Sequence, residues 1–485
     1  MSIVKSDPIC SFSYVCNCIS RLFKRSFLDK QMRFFYLYMG ERFMADPYVL
    51  EDGARIAVIG GGPSGSFFSI FALRMAKMAG KRISLTIYEP KDFRKDGPAG
   101  CNRCGGIISE LLVQTLAVEG ITLPESVVQR GIDSYNLHTD HGSVFIPTPA
   151  HEKTIATVYR GGGPRGGTGT RKESFDNFLL SLAVSEGAEH KQVKIERIEY
   201  KNQRPVLYSE ERLIDEPDLV AGAIGVKSRT SRLFEDMGFG YKGPETITAA
   251  IMEIEMESKT IAEHFGNAVH LFLLPMREVK FAAMIPKGTY VTLCMLGEKL
   301  DQNSLNAFIA HNVVQKVLPE SLHYTLGCRC LPKMNVKAAK VPFTDRAVLF
   351  GDAGSSRLFK DGIGAAYIMG KAAAKTALFY GVSREHFRKD YYPVYRSLII
   401  DNWFGKVLFE TTDACKQHRA LTKAMLAVIQ QEQQEPDTPG RLSSILWDMF
   451  TGNERYKNIF MRAVNLPLFA HLVKNIPGAL LRRDA

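Results

Sequence analysis

Arg55-Ile-Ala-Val-Ile-Gly60-Gly-Gly62-Pro-Ser-Gly65-Ser-Phe-Phe is the stretch whose reading decides the fold. Its short apolar run, rich in β-branched residues, predicts a buried parallel strand. The run breaks into Gly60-x-Gly62-x-x-Gly65, and a helix-like apolar pattern follows from Phe67 to Met78. In such a turn the first glycine allows the tight bend and the second lets backbone N–H groups approach a pyrophosphate. The third lets the helix pack close to the strand. Ser64 lies inside the turn and joins the glycines as a binding candidate. A second strand, Arg82-Ile-Ser-Leu-Thr-Ile-Tyr-Glu89, ends in an acid twenty-four residues after Gly65. Glu89 is thus placed to accept a hydrogen bond from a ribose 2′-hydroxyl. Strand, glycine turn, helix and acid together point to a bound dinucleotide.

Outward from this unit, 485 residues suggest about three domain-sized units. An apolar fraction of 45% and a charged fraction of 23% are those of a folded protein with a sizeable core. The net charge of +11 attracts anionic surfaces or ligands. No Arg/Lys tract interleaved with aromatics stands out as a nucleic-acid module, so the charge reads as a match for a membrane surface or phosphorylated ligands. Nine cysteines without a signal-peptide pattern lead us to expect a cytoplasmic protein with mostly free thiols. No run of eighteen uninterrupted apolar residues predicts a spanning helix.

Residues 1–50 read as an N-terminal extension, with Cys10, Cys16 and Cys18 ahead of Arg21, Lys24 and Arg25 among aromatics. Two readings stay open: a basic surface helix touching a membrane with acylated cysteines, or a loose segment upstream of a start at Met44. Residues 51–240 form the first part of a nucleotide-binding domain. It includes the loop Gly100-Cys-Asn-Arg-Cys-Gly-Gly-Ile-Ile-Ser109 and a Gly/Arg-rich run after Tyr159, which is either flexible or a cover over a phosphate. Ser174 is placed to cap a helix. Asp218–Arg229 reads as the last strand of the nucleotide sheet, closing on a turn. Period-two alternation between 245 and 298 predicts an antiparallel sheet within a 241–340 domain. A helix is expected at about 303–318. Residues 341–380 resume the nucleotide domain with Gly351-Asp352 and with Asp361-Gly362-Ile-Gly364 opening a small-residue helix. Residues 381–485 are helical, and the closing Leu466–Arg483 stretch is the candidate for lying on a bilayer. His138, His141 and His151 read as scattered in loops without ligand spacing.

Three separated segments now agree: Gly60–Gly65 with Glu89, the Asp218–Arg229 turn, and Gly351-Asp352 with Gly362 and Gly364. They resemble the FAD-dependent oxidoreductases of the aromatic-hydroxylase-like fold. Arg103-Cys104-Gly105-Gly106-Ile107 and the strand ending Met284-Ile-Pro286-Lys-Gly narrow the resemblance to the geranylgeranyl reductase family, over residues 54 to about 380. The resemblance implies an α/β fold: a Rossmann-like FAD-binding domain, interrupted by an antiparallel β-sheet substrate domain and followed by a helical C-terminal region. It implies FAD, with Gly60, Gly62 and Gly65 at the pyrophosphate, Glu89 at the adenosine ribose and Arg103 facing the cofactor. Asp352 would take a ribityl hydroxyl, and Gly362 and Gly364 would bring backbone N–H groups to the flavin ring. Lys172 stands where the family has a basic residue three places before Phe175-Asp176. Ile224 replaces the acid of the hydroxylase branch. The reductases' Tyr-x-Trp-x-Phe-Pro strand is matched only as Phe281-x-Ala283-x-Ile285-Pro286.

Cys101, Cys104, Cys328 and Cys330 stay open between a metal or iron–sulfur site, a redox dithiol and unrelated thiols. The favoured expectation is reduction of a double bond in an isoprenoid or other long apolar or lipid substrate. NAD(P)H or a ferredoxin-type donor would reduce the flavin, and Cys104 is the candidate acid. The alternatives are a flavin monooxygenase of an aromatic or lipid, and a non-catalytic membrane-associated flavin sensor. The protein is then expected to be cytoplasmic with peripheral membrane contact.

Overall fold

The computed structural model describes residues 46–102, 105–148, 155–164, 173–226, 228–320, 323–434 and 441–464. Residues 1–45, Arg103, Cys104, His151, Lys172 and the 466–483 stretch, with the expectations attached to them, lie outside the described residues. The chain divides between Val49 and Leu50 into two units. Of the first, only a turn at 46–49 is described, in which Tyr48 N donates to Asp46 Oδ1. The elements below belong to the second.

Ala54–Ile59 is apolar and buried along almost its whole length, as a strand covered on both faces must be. It lies centrally in a six-stranded sheet. The order is Phe343–Thr344, Ala347–Leu349, Leu219–Gly222, Ala54–Ile59, Ile83–Tyr88, Glu189–Lys191. All neighbours are parallel except the first pair. Leu219–Gly222 is therefore not the last strand, because Ala347–Leu349 pairs with its outer edge. The Rossmann-like sheet is completed by residues that follow the insert. The helices Pro63–Met78 and Gly362–Phe379 pack closely where Gly370 lacks a side chain. A Cβ there would lie 3.1 Å from Phe68 N and 3.2 Å from Ser64 O.

The insert is a seven-stranded sheet in the order Thr325–Cys330, Ala250–Glu255, Tyr290–Gly297, Val279–Pro286, Ala268–Phe272, Ser134–Thr139, Gly142–Pro147. Two of its strands come from before residue 241, and Ala268–Phe272 pairs with Ser134–Thr139 in parallel, the one departure from an antiparallel pattern. The weak alternation around 134–147 hid this partnership. His138 consequently lies in a strand, while His141 lies with Asp140 in the turn between Ser134–Thr139 and Gly142–Pro147.

Alternation gives the sheet two cores. One face, with Met252, Phe272 and Met284, packs on Phe308 and Val314. The expected single helix there is two, Gln302–Ile309 and Asn312–Gln315, because the His311 side chain caps a new start. The other face, with Phe281, Ala283 and Ile285, packs on the C-terminal helices through Phe409, Trp447, Phe450 and Tyr456. Phe281 stacks on Phe409 with ring centroids 5.5 Å apart, and Trp447 meets Tyr135 edge-on at 5.0 Å. Among the described residues, no helix is long and apolar enough to cross a membrane.

Candidate nucleotide-binding site

The strand Ala54–Ile59 delivers the chain to Gly60 at φ +105°, a conformation that disfavours any side chain. A Cβ at Gly60 would lie 2.3 Å from Ala223 O, and one at Gly65 would lie 1.9 Å from Gly60 O. These contacts hold strand, turn and helix together without side chains. The helix opens with Gly62 extended, Pro63 at its first turn and no side-chain cap. Its leading N–H groups are thus left to an external acceptor, with the helix dipole behind them.

Glu89 is buried at the end of Ile83–Tyr88. Its carboxylate accepts from Gly61 N at 3.0 Å and from Lys91 N at 2.9 Å, placing it at the rim of the glycine turn. A carboxylate has about four lone-pair sites, so these two bonds leave it able to accept a hydroxyl. Lys91 Nζ donates to Cys101 O and to Asn102 Oδ1, tying the cysteine loop to the same rim.

The second half of the site comes from residues 351–364. Gly351 has φ +60°, and a Cβ there would fall 1.9 Å from Ser64 Oγ. The two glycine motifs, separated by the whole insert, therefore meet. Asp352 follows, half-buried, with its backbone O accepting from Asn335 Nδ2 at 2.8 Å. Burial raises its pKa, opposed by a hydrogen bond from Ser356 and the positive charge of Arg160. A Cβ at Gly362 would lie 3.2 Å from Ser356 Oγ and 4.0 Å from Asp352 Oδ1, so Gly362 borders the same mouth. Gly364 differs from expectation. Its N–H donates to Asp361 Oδ1 at 3.1 Å, and Asp361, at φ +48°, caps the helix. Burial raises the Asp361 pKa while Arg357 beside it opposes the rise.

Sequence reading missed the bridge across the middle. Arg160 forks onto Asp176, through Nε to Oδ1 and through Nη2 to Oδ2 at 3.1 Å. Asn102 Nδ2 donates to the same carboxylate, and Asn102 N donates to Arg160 O at 2.9 Å. Asp176 is fully buried in the first turn of Phe175–Ser185, where the dipole favours an anion. Arg160 sits in the Gly/Arg-rich run, where composition speaks of looseness rather than of one fixed ion pair.

The Gly105-Gly106 pair lies on the inner face of the seven-stranded sheet. A Cβ at Gly105 would be 3.0 Å from Ile285 Cδ1, and one at Gly106 would be 3.3 Å from Lys287 Nζ. Cys101, Cys294, Cys328, Cys330 and Cys415 are half-buried. Among the described residues, no group of three or more His, Cys, Asp or Glu is placed to hold a metal.

No family model matches the chain, and no curated protein matches it. Solved structures do. A geranylgeranyl bacteriochlorophyll reductase-like protein from Thermoplasma acidophilum is 16% identical, with TM-score 0.60 over 88% of this chain and 100% of its own. A flavoprotein/dehydrogenase from Cytophaga hutchinsonii is 15% identical, with TM-score 0.59 over 88% and 100%. The halogenase PltM, in complex with phloroglucinol and FAD, is 12% identical, with TM-score 0.56 over 88% and 91%. The fold is that of the FAD-dependent oxidoreductases. In this flavoprotein fold the described candidates Gly60, Gly62, Ser64, Gly65, Glu89, Gly351, Asp352 and Gly362 gather at one mouth. Gly364 stands one turn into the helix behind it.

Proposed function

We propose that the chain binds FAD and is an oxidoreductase that reduces a double bond in an isoprenoid or another long apolar substrate. The observation that carries the FAD reading is the meeting of Ser64 with Gly351, which gives one nucleotide a grip from both motifs. The donor set fits the group. The uncapped N–H groups at Gly62–Pro63 would hold the pyrophosphate, the Glu89 carboxylate, which accepts from Gly61 N, would take a ribose hydroxyl, and the Asp352 carboxylate would take a ribityl hydroxyl. Bound flavin supplies hydride transfer. The chain's own contribution is positioning: Arg160 offsets negative charge near Asp352, and the small residues keep backbone close. Hydride added to one alkene carbon requires a proton at its neighbour, and Cys104 remains our candidate for that acid. Arg103 and Lys172 are proposed at the cofactor on the resemblance alone. NAD(P)H or a ferredoxin-type protein is the proposed donor. An apolar or lipid substrate and peripheral membrane contact complete the reading.

The apolar substrate rests on the resemblance alone, since Phe281, Phe409 and Phe450 pack on one another in the core between the inserted sheet and the C-terminal helices. Purified protein should carry a yellow chromophore that acid releases as FAD, and anaerobic reduction followed by a prenyl alkene should reoxidise it. A colourless protein that takes up no FAD overturns the cofactor. Oxygen consumption coupled to substrate turnover would replace the reductase with a monooxygenase.

A further inference from the structure

Between Asp352 and the helix opened by Gly362, residues 355–361 form neither helix nor strand. Backbone groups in such a segment must find partners elsewhere. Ser356 is buried within it. Its hydroxyl is hydrogen-bonded to the Asp352 carboxylate and lies 3.2 Å from where a Cβ at Gly362 would stand. The partners of Ser356 and Leu358 come from beyond residue 380. Asn402, on the helix Tyr392–Lys416, donates through Nδ2 to Ser356 O at 2.7 Å and accepts through Oδ1 from Leu358 N at 2.9 Å. Ser356 O can only accept and Leu358 N can only donate, so the amide has one orientation. One side chain thus supplies both bonds that a neighbouring strand would otherwise give. Leu358 O accepts from the Tyr456 hydroxyl. Asp401, next to Asn402, accepts from Tyr456 N at 3.2 Å and from Lys457 N at 3.0 Å, which ties that tyrosine's helix to the same place.

We propose that Asn402 is a positioning residue for the flavin end of the site. It sets the backbone that carries Ser356 to the Asp352 carboxylate and leads into Gly362. The inference rests on the FAD reading. Among the described residues, neither Asn402 nor residues 354–361 share a hydrogen bond with Gly60, Gly62, Gly65 or Glu89. Asn402 therefore acts on one half of the ligand and leaves the glycine turn alone.

FAD is ADP extended by a ribityl-flavin, so the two nucleotides separate the halves. The test is calorimetric titration of the full-length protein, stripped of any flavin it carries, with FAD and with ADP. Wild type should bind FAD at least about tenfold tighter than ADP. Asn402→Leu, of nearly the same shape, loses both bonds and should weaken FAD about tenfold while ADP stays within about twofold. Should that variant fail to fold, Asn402→Ser, too short to span both partners, is read by the same ratio. Equal weakening of both nucleotides marks a residue that only holds the fold together, and overturns the proposal. A wild type that binds ADP and gains nothing from the flavin overturns the cofactor reading. A wild type that prefers FAD, with Asn402→Leu preferring it as strongly, overturns this inference alone.

Discussion

Gly351 carries the contact on which the cofactor reading turns. Gly351→Ala places a methyl on Ser64 Oγ at a left-handed φ, and should cost about 2 kcal/mol or more and empty the protein of flavin. Adding Ser64→Gly removes the clash while the φ strain remains, so the double variant should regain part of the melting temperature lost. Asp352→Ala should weaken FAD binding tenfold or more in a fluorescence titration while the protein stays folded. A different residue pair sets the acid response. His138 Nε2 and His270 Nδ1 lie 3.0 Å apart, with Ser143 and Asn136 at the outer nitrogens. Burial lowers His138 to about 4; burial, then the neighbouring imidazole, lowers His270 to about 3. The unfolded chain, at about 6.5, binds more protons than the native one below that pH, so stability falls as pH drops from 6.5 toward 4. With two imidazoles lowered, the loss by pH 4 should be on the order of 6 kcal/mol. A His138→Leu/His270→Leu variant should flatten that part of the denaturation profile measured in urea.

Among the elements, those legible in the sequence were the ones whose glycines answer to backbone contact. Gly60, Gly65 and Gly351 each have a backbone or side-chain atom within 2.3 Å of where a Cβ would stand, so residue type there encodes geometry. The Arg160–Asp176 pair was not legible, because an ion pair leaves no period in the chain. His138 and His270 meet only through the register of two parallel strands, which no local pattern announces. The helix Gly362–Phe379 shows both cases. Its small residues marked it, but its cap depends on distant Gly452, where a Cβ would lie 2.6 Å from Asp361 Cβ. Arg357 Nη1 bridges Asp361 and Gly452 O. Gly452→Ala, at φ +87°, should therefore disturb a helix start ninety residues away, costing about 2 kcal/mol. Near-ultraviolet circular dichroism and flavin retention would report it.

At the scale of the whole molecule, the C-terminal helices complete the core of the inserted sheet rather than decorate it. Trp447 is fully buried against Tyr135, so Trp447→Ala should cost about 3–5 kcal/mol in chemical denaturation. The junction is charged as well as apolar: Lys360 donates to Asp448 O and lies over the Tyr456 ring at 4.2 Å. Burial lowers the Lys360 pKa well below its usual value. This interface was invisible beforehand because amphipathic helices declare a face and not its partner.

The placement of Ala347–Leu349 beside Leu219–Gly222 bears on biosynthesis. At roughly 5–20 residues per second, about a quarter of a minute to a minute separates emergence of the first glycine turn from that of its opposite jaw. Throughout that interval the nascent chain holds half a socket for the proposed vitamin-derived ligand. Riboflavin starvation should thus leave full-length apoprotein prone to proteolysis, rather than chains arrested part-way.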